Sequence, residues 1–177
     1  FDNGNAKYIS FKNVFTNPEV DLKSLDTVKV SESENQNSVR YGDILFTGSS
    51  ENAEEVAMSS AVTVNLKEPI YLNSFSFGLR FKEKTAITPQ FAKHLFRCTF
   101  IRDEIKKTAS GVTRFNVSKE KFRKIEIPIL CPGNPKESLE IQAEIVRILD
   151  ALTELTTELT TELTTELTTR KIQYNYY

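Results

Sequence analysis

Residues 153–168 repeat the tetrapeptide Thr-Glu-Leu-Thr four times without interruption. Four residues are close to one α-helical turn, so each copy lengthens a helix by about 6 Å at about 1.5 Å per residue. The repeat therefore predicts a helical spacer whose length depends on the number of copies.

The apolar residues of this region indicate that the helix pairs with another helix. Up to Leu159 their spacing alternates between four and three residues, which is the pattern of a left-handed coiled coil. Beyond that point the leucines step by four only, and each such step rotates the apolar stripe by about 40°. An amphipathic core helix also explains the leucines, but it does not explain the near-identical threonines and glutamates, because surface positions need only be polar. The predicted interface consists of Ile141, Ile145, Ile148, Leu152, Leu155, Leu159, Leu163 and Leu167.

The start of the long helix is marked by Asn134, Pro135 and Glu137. These match a helix cap, a proline at the first helical position and an acidic residue at the third. A helix from there to the end of the chain would be about 64 Å long, too long to lie within a small domain. We therefore divide the chain into a domain at residues 1–133 and a long helix at residues 134–177.

Composition limits the rest of the chain to one compact domain. The 177 residues are 39% hydrophobic, which suits one globular domain with an appendage. The sequence shows neither a secretion signal nor an apolar run of membrane-spanning length, and Cys98 and Cys131 form no motif. We therefore expect a protein of the reducing cytoplasm with no membrane contact. Because the sequence opens at Phe1 without an initiator methionine, we also expect that the first part of the domain is missing.

The net charge of −1 hides a strong asymmetry along the chain. Residues 79–124 contain thirteen lysines and arginines and four acidic residues, a net charge of +9, which leaves −10 for the remainder. A concentrated basic segment favours a polyanionic partner, because lysine and arginine side chains that replace the counterions of phosphates supply affinity. A charge run of this kind is also typical of a merely solvated surface.

The remaining pattern predicts an α+β domain that is rich in short strands. Period-two spacing indicates the clearest strand, at Phe75, Phe77, Leu79 and Phe81. Further strands are predicted at residues 7–15, 61–66 and 124–130, and residues 39–46 are predicted to form a turn that leads into a buried strand. The proline of the segment at residues 124–130 indicates a sheet edge. Residues 48–58 are rich in serine, asparagine and glutamate, which predicts a surface loop.

A basic helix is predicted from Pro89 to about Thr108, with Thr88 as its N-cap. Its apolar face is predicted to contain Phe91, Leu95, Cys98 and Ile105. After this helix, Gly111 allows a positive φ within a loop at residues 109–116. Ser118 is then predicted to cap a short helical turn.

No arrangement of residues indicates catalysis. His94 is the single histidine and lies inside the predicted basic helix, where a packed or solvated role is more common than that of a general base. The sequence contains no Cys-x-x-Cys, no Walker-type phosphate loop and no Gly-x-Gly-x-x-Gly motif. We therefore expect a non-catalytic protein without a metal ion or cofactor.

Three segments together resemble the specificity subunits of type I restriction–modification systems. The conserved helical region of that family is similar to residues 140–177 (EIQAEIVRILDALTELTTELTTELTTELTTRKIQYNYY). A turn and strand of its target recognition domains resemble residues 39–50 (VRYGDILFTGSS). Their Gly-Thr loop and closing strand resemble residues 110–130 (SGVTRFNVSKEKFRKIEIPIL).

The resemblance implies a DNA-reading subunit of a larger enzyme. Such subunits carry two recognition domains and two conserved helices, which pair antiparallel and hold the domains apart over a two-part target in double-stranded DNA. They bind methyltransferase subunits that modify adenine and, through these, the restriction motor subunits. This chain has one domain and one helix, so it resembles half a specificity subunit. A homodimer, or pairing with an equivalent half, would restore the two-fold geometry.

The resemblance and the basic segment together imply a set of DNA-contacting residues. Arginine reads guanine and asparagine reads adenine through paired hydrogen bonds. The candidates for contact with bases or the nearby backbone are Ser110, Gly111, Thr113, Arg114 and Asn116. In an alternative interpretation the glycine and the asparagine only form the turn, and Arg114 alone contacts DNA. Phosphate contacts are predicted for Lys84, Lys93, Arg97, Lys106, Lys107, Lys119 and Lys121, and a second contact loop is predicted at Ser49, Ser50 and Asn52.

A different class of function stays open at this point. A small β domain with a dimerising helix could serve as a protein-interaction scaffold with no role on DNA, and the repeat suits both functions equally. The basic segment distinguishes them. Basic side chains gathered on one face favour DNA reading, whereas basic side chains paired with acids favour the scaffold.

Overall fold

The computed structural model describes residues 4–31, 36–82, 87–174 and 176. The strands are β1 (Ala6–Ile9), β2 (Asp26–Val28), β3 (Ile44–Thr47), β4 (Ser49–Ser50), β5 (Ser59–Ala61), β6 (Ile70–Leu72), β7 (Ser76–Leu79), β8 (Ala109–Ser110) and β9 (Phe115–Val117). The helices are α1 (Phe11–Thr16), α2 (Pro89–Leu95), α3 (Thr99–Lys106), α4 (Lys119–Phe122) and α5 (Pro135–Tyr174). Three small sheets and a long terminal helix confirm the predicted α+β class.

Strand β3 lies at the centre of the domain and is buried on both faces. Side chains alternate across a strand, so Ile44 and Phe46 enter one hydrophobic core and Leu45 enters a second. Strands β5 and β7 flank β3 in an antiparallel sheet. The period-two spacing of the sequence correctly predicts β7 as a strand, although β7 begins only at Ser76.

The second core joins this central sheet to a sheet at the start of the chain. Strand β1 pairs antiparallel with β2 and parallel with β6, and Ile9 and Ile70 of this sheet pack with Leu45. The predicted strand at residues 7–15 is wrong beyond Ile9, because Ser10 accepts a hydrogen bond from the Asn13 amide and starts α1.

The third sheet has the order β4-β9-β8 and joins segments far apart in the chain. Ser49 pairs with Asn116, and Ser110 pairs with the same residue from the other side. The surface loop predicted at residues 48–58 is therefore wrong in part, because this segment contains β4. It also contains Val56 and Ala57, which are fully buried.

Arg102 explains how part of the polar segment at residues 48–58 can be buried. Its guanidinium donates hydrogen bonds to the carbonyl oxygens of Glu54, Val56 and Ala57 at 3.0, 2.6 and 2.8 Å. Buried carbonyl groups need such partners, since an unpaired one costs about 1–3 kcal/mol. One arginine of the basic segment thus stabilises the interior of the domain.

The predicted basic helix forms as two helices. Thr88 caps α2 by accepting a hydrogen bond from the Phe91 amide at 3.2 Å, and Pro89 occupies its first turn, so the predicted start is confirmed. The helix breaks after Leu95 and resumes at Thr99 as α3. Because Cys98 is the N-cap of α3, it is exposed, and its predicted place on the apolar face is wrong.

The edge strand predicted at residues 124–130 does not form. Proline has no amide hydrogen for a sheet ladder, and Pro128 interrupts this segment. Ile125, Ile127 and Leu130 nevertheless pack against the first core. Ile129, which continues the alternation of Ile125 and Ile127, is exposed, so the burial of this segment does not follow a strand pattern.

Helix α5 begins as predicted. The Glu137 amide donates to Asn134 Oδ1 at 3.3 Å, and Asn134 Nδ2 donates to the Glu137 carboxylate at 3.1 Å. The helix has 40 residues, so it is about 60 Å long. Ile145 and Val146 contact the first core, which means that Ile145 belongs to the contact with the domain rather than to a free coiled-coil seam.

Beyond this contact the predicted seam is open to solvent. Leu152 is 55% exposed and Leu155 is 61% exposed. Of the predicted interface, the exposed side chains are Ile141, Ile148, Leu152, Leu155, Leu159, Leu163 and Leu167.

Gln142 is the polar anchor between α5 and the domain. Its side chain is fully buried. Its Oε1 accepts hydrogen bonds from the Thr88 amide at 2.9 Å and from the Thr88 hydroxyl at 3.1 Å, and its Nε2 donates to Ser138 Oγ at 3.1 Å. The start of α2 is thereby tied to the second turn of α5.

A charged cluster reinforces this contact one helical turn beyond the core. Lys93 Nζ lies 2.9 Å from Asp150 Oδ1, and His94 Nε2 lies 2.7 Å from the same oxygen. Partial burial disfavours the charged carboxylate, but the hydrogen bonds from Lys93 and His94 outweigh that effect, so the pKa of Asp150 lies below its ordinary value.

We predict that Gln142→Leu destabilises the protein by about 1–3 kcal/mol, because the Thr88 amide would lose its acceptor inside the contact. Urea unfolding measures the change in free energy. Gln173→Leu, on the exposed far part of the same helix, is the matched control. Equal stability of the two variants would contradict the anchoring role of Gln142.

Candidate nucleic-acid interface

The β8–β9 hairpin projects the candidate reading loop from the third sheet. Gly111 adopts φ 144°, and a Cβ atom there would lie 2.0 Å from the Arg114 carbonyl oxygen. The backbone therefore requires glycine at this position, which confirms the predicted positive φ. The turn leaves Thr113 and Arg114 exposed.

The third sheet brings the two predicted contact loops together. The Arg114 guanidinium donates to Ser49 Oγ from Nη2 at 3.0 Å and from Nε at 3.2 Å. Asn116 is exposed in the strand next to Ser49. The pairing places Ser110 in the same sheet. The sequence predicted these as separate loops, and the structure joins them in one surface.

Ser50 and Asn52 continue this surface at the end of β4. Ser50 Oγ accepts a hydrogen bond from the Asn52 amide at 3.1 Å. Asn52 Oδ1 accepts one from the Glu54 amide at 3.0 Å and so caps a 3₁₀ turn at Ala53–Glu55. The Asn52 side chain is exposed, but its oxygen already has a structural partner.

A ridge crosses this surface between two shallow grooves of ≈ 400 and ≈ 390 Å³. Ser49, Phe75 and Arg114 line both grooves. Phe75 and Arg114 are exposed and form the ridge, whereas Ser49 is buried. One groove continues to Gly48, Ser74, Ser76, Phe77, Asn116 and Lys119. The other continues to Phe11, Phe15, Ser50, Glu51 and Glu55. We call the first the basic groove and the second the acidic groove.

Phe75 was not among the predicted contact residues. Its spacing predicted a strand, but it lies in the turn before β7 with 63% of its surface exposed. The preceding Asn73-Ser74 pair is a turn signal that could have identified the exposed position.

Two predicted phosphate contacts have structural roles instead. The Arg97 guanidinium donates to the Ser59 carbonyl oxygen at 2.6 Å and to the Phe15 carbonyl oxygen at 3.2 Å. Burial, helped by the positive charge of Arg102, lowers the pKa of Arg97 to about 10. Lys93 contacts Asp150, as described above, and its side chain is only 12% exposed. We therefore remove Lys93 and Arg97 from the candidate phosphate contacts.

Two further basic side chains, at the end of α3 and directly after it, are paired with acids. Lys106 binds the carboxylates of Glu54 and Asp103, and the hydrogen bond to Glu54 raises the pKa of Lys106. Lys107 Nζ lies 2.6 Å from Glu104 Oε1. The Lys107 side chain remains largely exposed, so both ends of this pair face solvent.

A group of exposed basic residues lies after the hairpin. Lys119 is positioned 5.6 Å from the centre of the Phe77 ring, beside the basic groove. Lys121, Arg123 and Lys124 are exposed and have no ion pair among the residues that the structure describes. Lys84 lies outside the described residues.

The described part of the chain contains no cluster of three metal-ligating side chains. Within the same part, no helix is both long enough and apolar enough to cross a membrane.

Comparisons with known proteins match the chain to one family. The model of the type I restriction modification DNA specificity domain matches residues 2–169. The specificity subunit of the type I restriction enzyme EcoprrI from Escherichia coli is 49% identical over 82 residues. That of EcoR124I/EcoR124II, also from Escherichia coli, is 64% identical over 52 residues. These alignments cover 46% and 29% of this chain but only 20% and 12% of the two relatives.

A solved structure supports the fold. The crystal structure of the HsdS subunit from Thermoanaerobacter tengcongensis aligns with 87% of this chain at a TM-score of 0.58 and 18% sequence identity. The alignment covers 37% of that protein. Since the family model spans nearly the whole sequence, the chain belongs to the family of type I restriction–modification DNA specificity domains.

Proposed function

We propose that this chain reads one half of a two-part target in double-stranded DNA, as the specificity component of a type I restriction–modification enzyme. The observation that supports the proposal is the third sheet, which gathers the exposed Ser110, Arg114 and Asn116 on one surface, with the buried Ser49 bonded to Arg114. Arginine can pair with the guanine edge and asparagine with the adenine edge in the major groove. Gly111 supplies the tight turn that carries them.

Phosphate contacts are proposed for basic residues around this surface. Lys119 lines the basic groove, and Lys121 follows it in the same helix. Arg123 and Lys124 extend the positive charge, whereas Lys107 offers a weaker contact because Glu104 neutralises it. Contacts of this kind fix the position of a protein on the duplex without reading its sequence.

The long helix is proposed to hold two recognition domains apart. Its exposed leucines suit a second copy of the chain or an equivalent helix, arranged antiparallel about a two-fold axis. In this proposal the chain binds methyltransferase subunits and, through them, restriction motor subunits. The chain itself supplies recognition, without catalysis or a cofactor, in the cytoplasm.

We predict that binding to duplex DNA weakens steeply as salt concentration rises, because bound lysines release phosphate counterions. Arg114→Ala should relax the sequence preference, since it removes a base-reading side chain. Lys121→Ala should weaken all sequences alike and reduce the salt slope by about one. Filter binding over a salt series, with specific and unrelated duplexes, measures both effects.

Lys106→Ala is the matched control for the phosphate contact, because Lys106 is already paired with Glu54 and Asp103. We expect it to change DNA affinity much less than Lys121→Ala. A flat salt response of the unmodified chain would contradict DNA reading and favour the protein-interaction scaffold.

We predict that Ile148→Glu and Leu155→Glu each break the helix pair, because a charge in an apolar seam loses its hydration. Light scattering over a concentration series measures the loss of the paired species. Thr157→Glu is the control, since it lies about 200° around the helix from Leu155. A chain that stays monomeric at high concentration and finds no equivalent helix would contradict the proposed pairing.

We predict that deletion of residues 157–160 shortens the spacer between half-sites by one or two base pairs. The deletion removes about 6 Å of helix, and ten base pairs of DNA span about 34 Å. Insertion of two residues should abolish assembly, because it turns the seam away from its partner. Methylome sequencing measures the spacer. The half-site bases should not change, and altered bases with an unaltered spacer would contradict the spacer role.

A further inference from the structure

We infer that Phe75 is a specificity-determining residue that contacts the 5-methyl group of a thymine in the major groove of the half-site. This inference rests on the proposed DNA-reading function and extends it to a residue that neither the family match nor the basic pattern indicates. The position of Phe75 on the ridge beside Arg114 carries the inference.

The turn that carries Phe75 is held firmly by hydrogen bonds. The Phe75 amide donates to Asn73 Oδ1 at 3.0 Å, and Asn73 Nδ2 donates at the same distance to the Ile9 carbonyl oxygen. The Phe75 carbonyl oxygen accepts a hydrogen bond from the Gly48 amide at 2.7 Å. A Cβ atom on Gly48 would lie 2.7 Å from that oxygen, so glycine permits this close approach. The backbone at the ridge is thus fixed to β1 and to the start of β4.

An exposed phenylalanine needs no special explanation by itself. Phe100 on α3 is 67% exposed and lines neither groove of the ridge. Phe75 differs because a rigid turn holds it next to Arg114 and Ser49, at the meeting point of both grooves. An aromatic side chain placed in this way loses little conformational entropy when a ligand covers it.

Charge decides on which side of the ridge the DNA backbone lies. Arg114 lines both grooves, so the grooves differ in charge through Lys119, which lines the basic groove, and through Glu51 and Glu55, which line the acidic groove and repel phosphates. With the backbone along the basic groove, the ridge points its side chains towards the base edges. Arg114 and Phe75 then meet neighbouring bases.

The apolar ring of Phe75 favours contact with thymine over the other bases. In the major groove, thymine alone among the four bases presents a methyl group, and phenylalanine is one of the side chains that contact it. The Phe75 ring has no hydrogen-bonding group, so it cannot satisfy the donors and acceptors of the other base edges. We therefore assign thymine to Phe75, beside the base that Arg114 reads.

The test uses the full chain assembled with its methyltransferase subunits. A duplex library with a randomised central sequence is first selected for binding to the unmodified protein. The best duplex is then made with each thymine in turn replaced by 2′-deoxyuridine, which lacks the 5-methyl group. We expect one position in the half-site at which this replacement weakens binding about fourfold, the effect of one buried methyl group.

Phe75→Ala should weaken binding to the selected duplex and should remove the deoxyuridine effect at that one position. Phe75→Leu, which keeps an apolar side chain, should retain most of the binding affinity and most of the deoxyuridine effect. Phe100→Ala is the matched control and should change neither. Because Phe75 is exposed, its replacement leaves the core intact, which thermal unfolding of the variants verifies.

The outcomes separate this inference from the proposed function. If the unmodified assembly selects no duplex, DNA reading and the role of Phe75 both fail. If it selects a duplex but Phe75→Ala keeps full affinity and the same deoxyuridine response, DNA reading stands and the inference is overturned. A general loss of affinity in Phe75→Ala, without any methyl-sensitive position in the unmodified protein, also overturns it.

Discussion

The contact between Gln142 and Thr88 determines how the two parts of this protein are joined. The side-chain oxygen Oε1 of Gln142 accepts hydrogen bonds from both the amide and the hydroxyl of Thr88. Gln142 is fully buried in this contact. Apolar side chains alone would permit the helix to rotate or slide, whereas a buried polar group must keep its partners. Helix α2 packs against the central sheet through the first core. The direction of the long helix is therefore set by the interior of the domain.

Two basic residues stabilise the segment next to the surface that carries Ser110, Arg114 and Asn116, which we call the reading surface. Arg102 binds the backbone carbonyls of residues 54–57, and Arg97 binds that of Ser59. This segment follows β4 directly, so the two arginines hold in place the strand that carries Ser49. The basic side chains of residues 79–124 thus have different roles. Arg97 and Arg102 stabilise the interior, Lys106 and Lys107 pair with acids, and Lys119, Lys121, Arg123 and Lys124 are exposed.

The repeat and the reading surface are physically independent, which suits the proposed division between spacing and recognition. In the repeat each threonine hydroxyl donates to the carbonyl oxygen four residues earlier, for example from Thr160 to Thr156 and from Thr164 to Thr160, both at 2.7 Å. The polar group of each threonine is therefore satisfied within its own helix. A tetrapeptide can be added or removed without creating an unpaired hydroxyl. The hairpin with Arg114 and the turn with Phe75 lie in the domain and do not contribute to this pattern.

The features that depend only on neighbouring residues could be predicted from the sequence. The start of α5 at Asn134, the cap of α2 at Thr88 and the positive φ of Gly111 all follow from local backbone geometry, and the tetrapeptide repeat defines its own helix. The strand predicted at residues 124–130 does not form, and the surface loop predicted at residues 48–58 is wrong in part. No sequence pattern indicated Phe75 as a contact residue. Long-range packing sets which basic side chains are buried, which serine bonds to Arg114 and which phenylalanine stays exposed. Burial and strand pairing depend on residues far apart in the chain, so no local pattern can specify them.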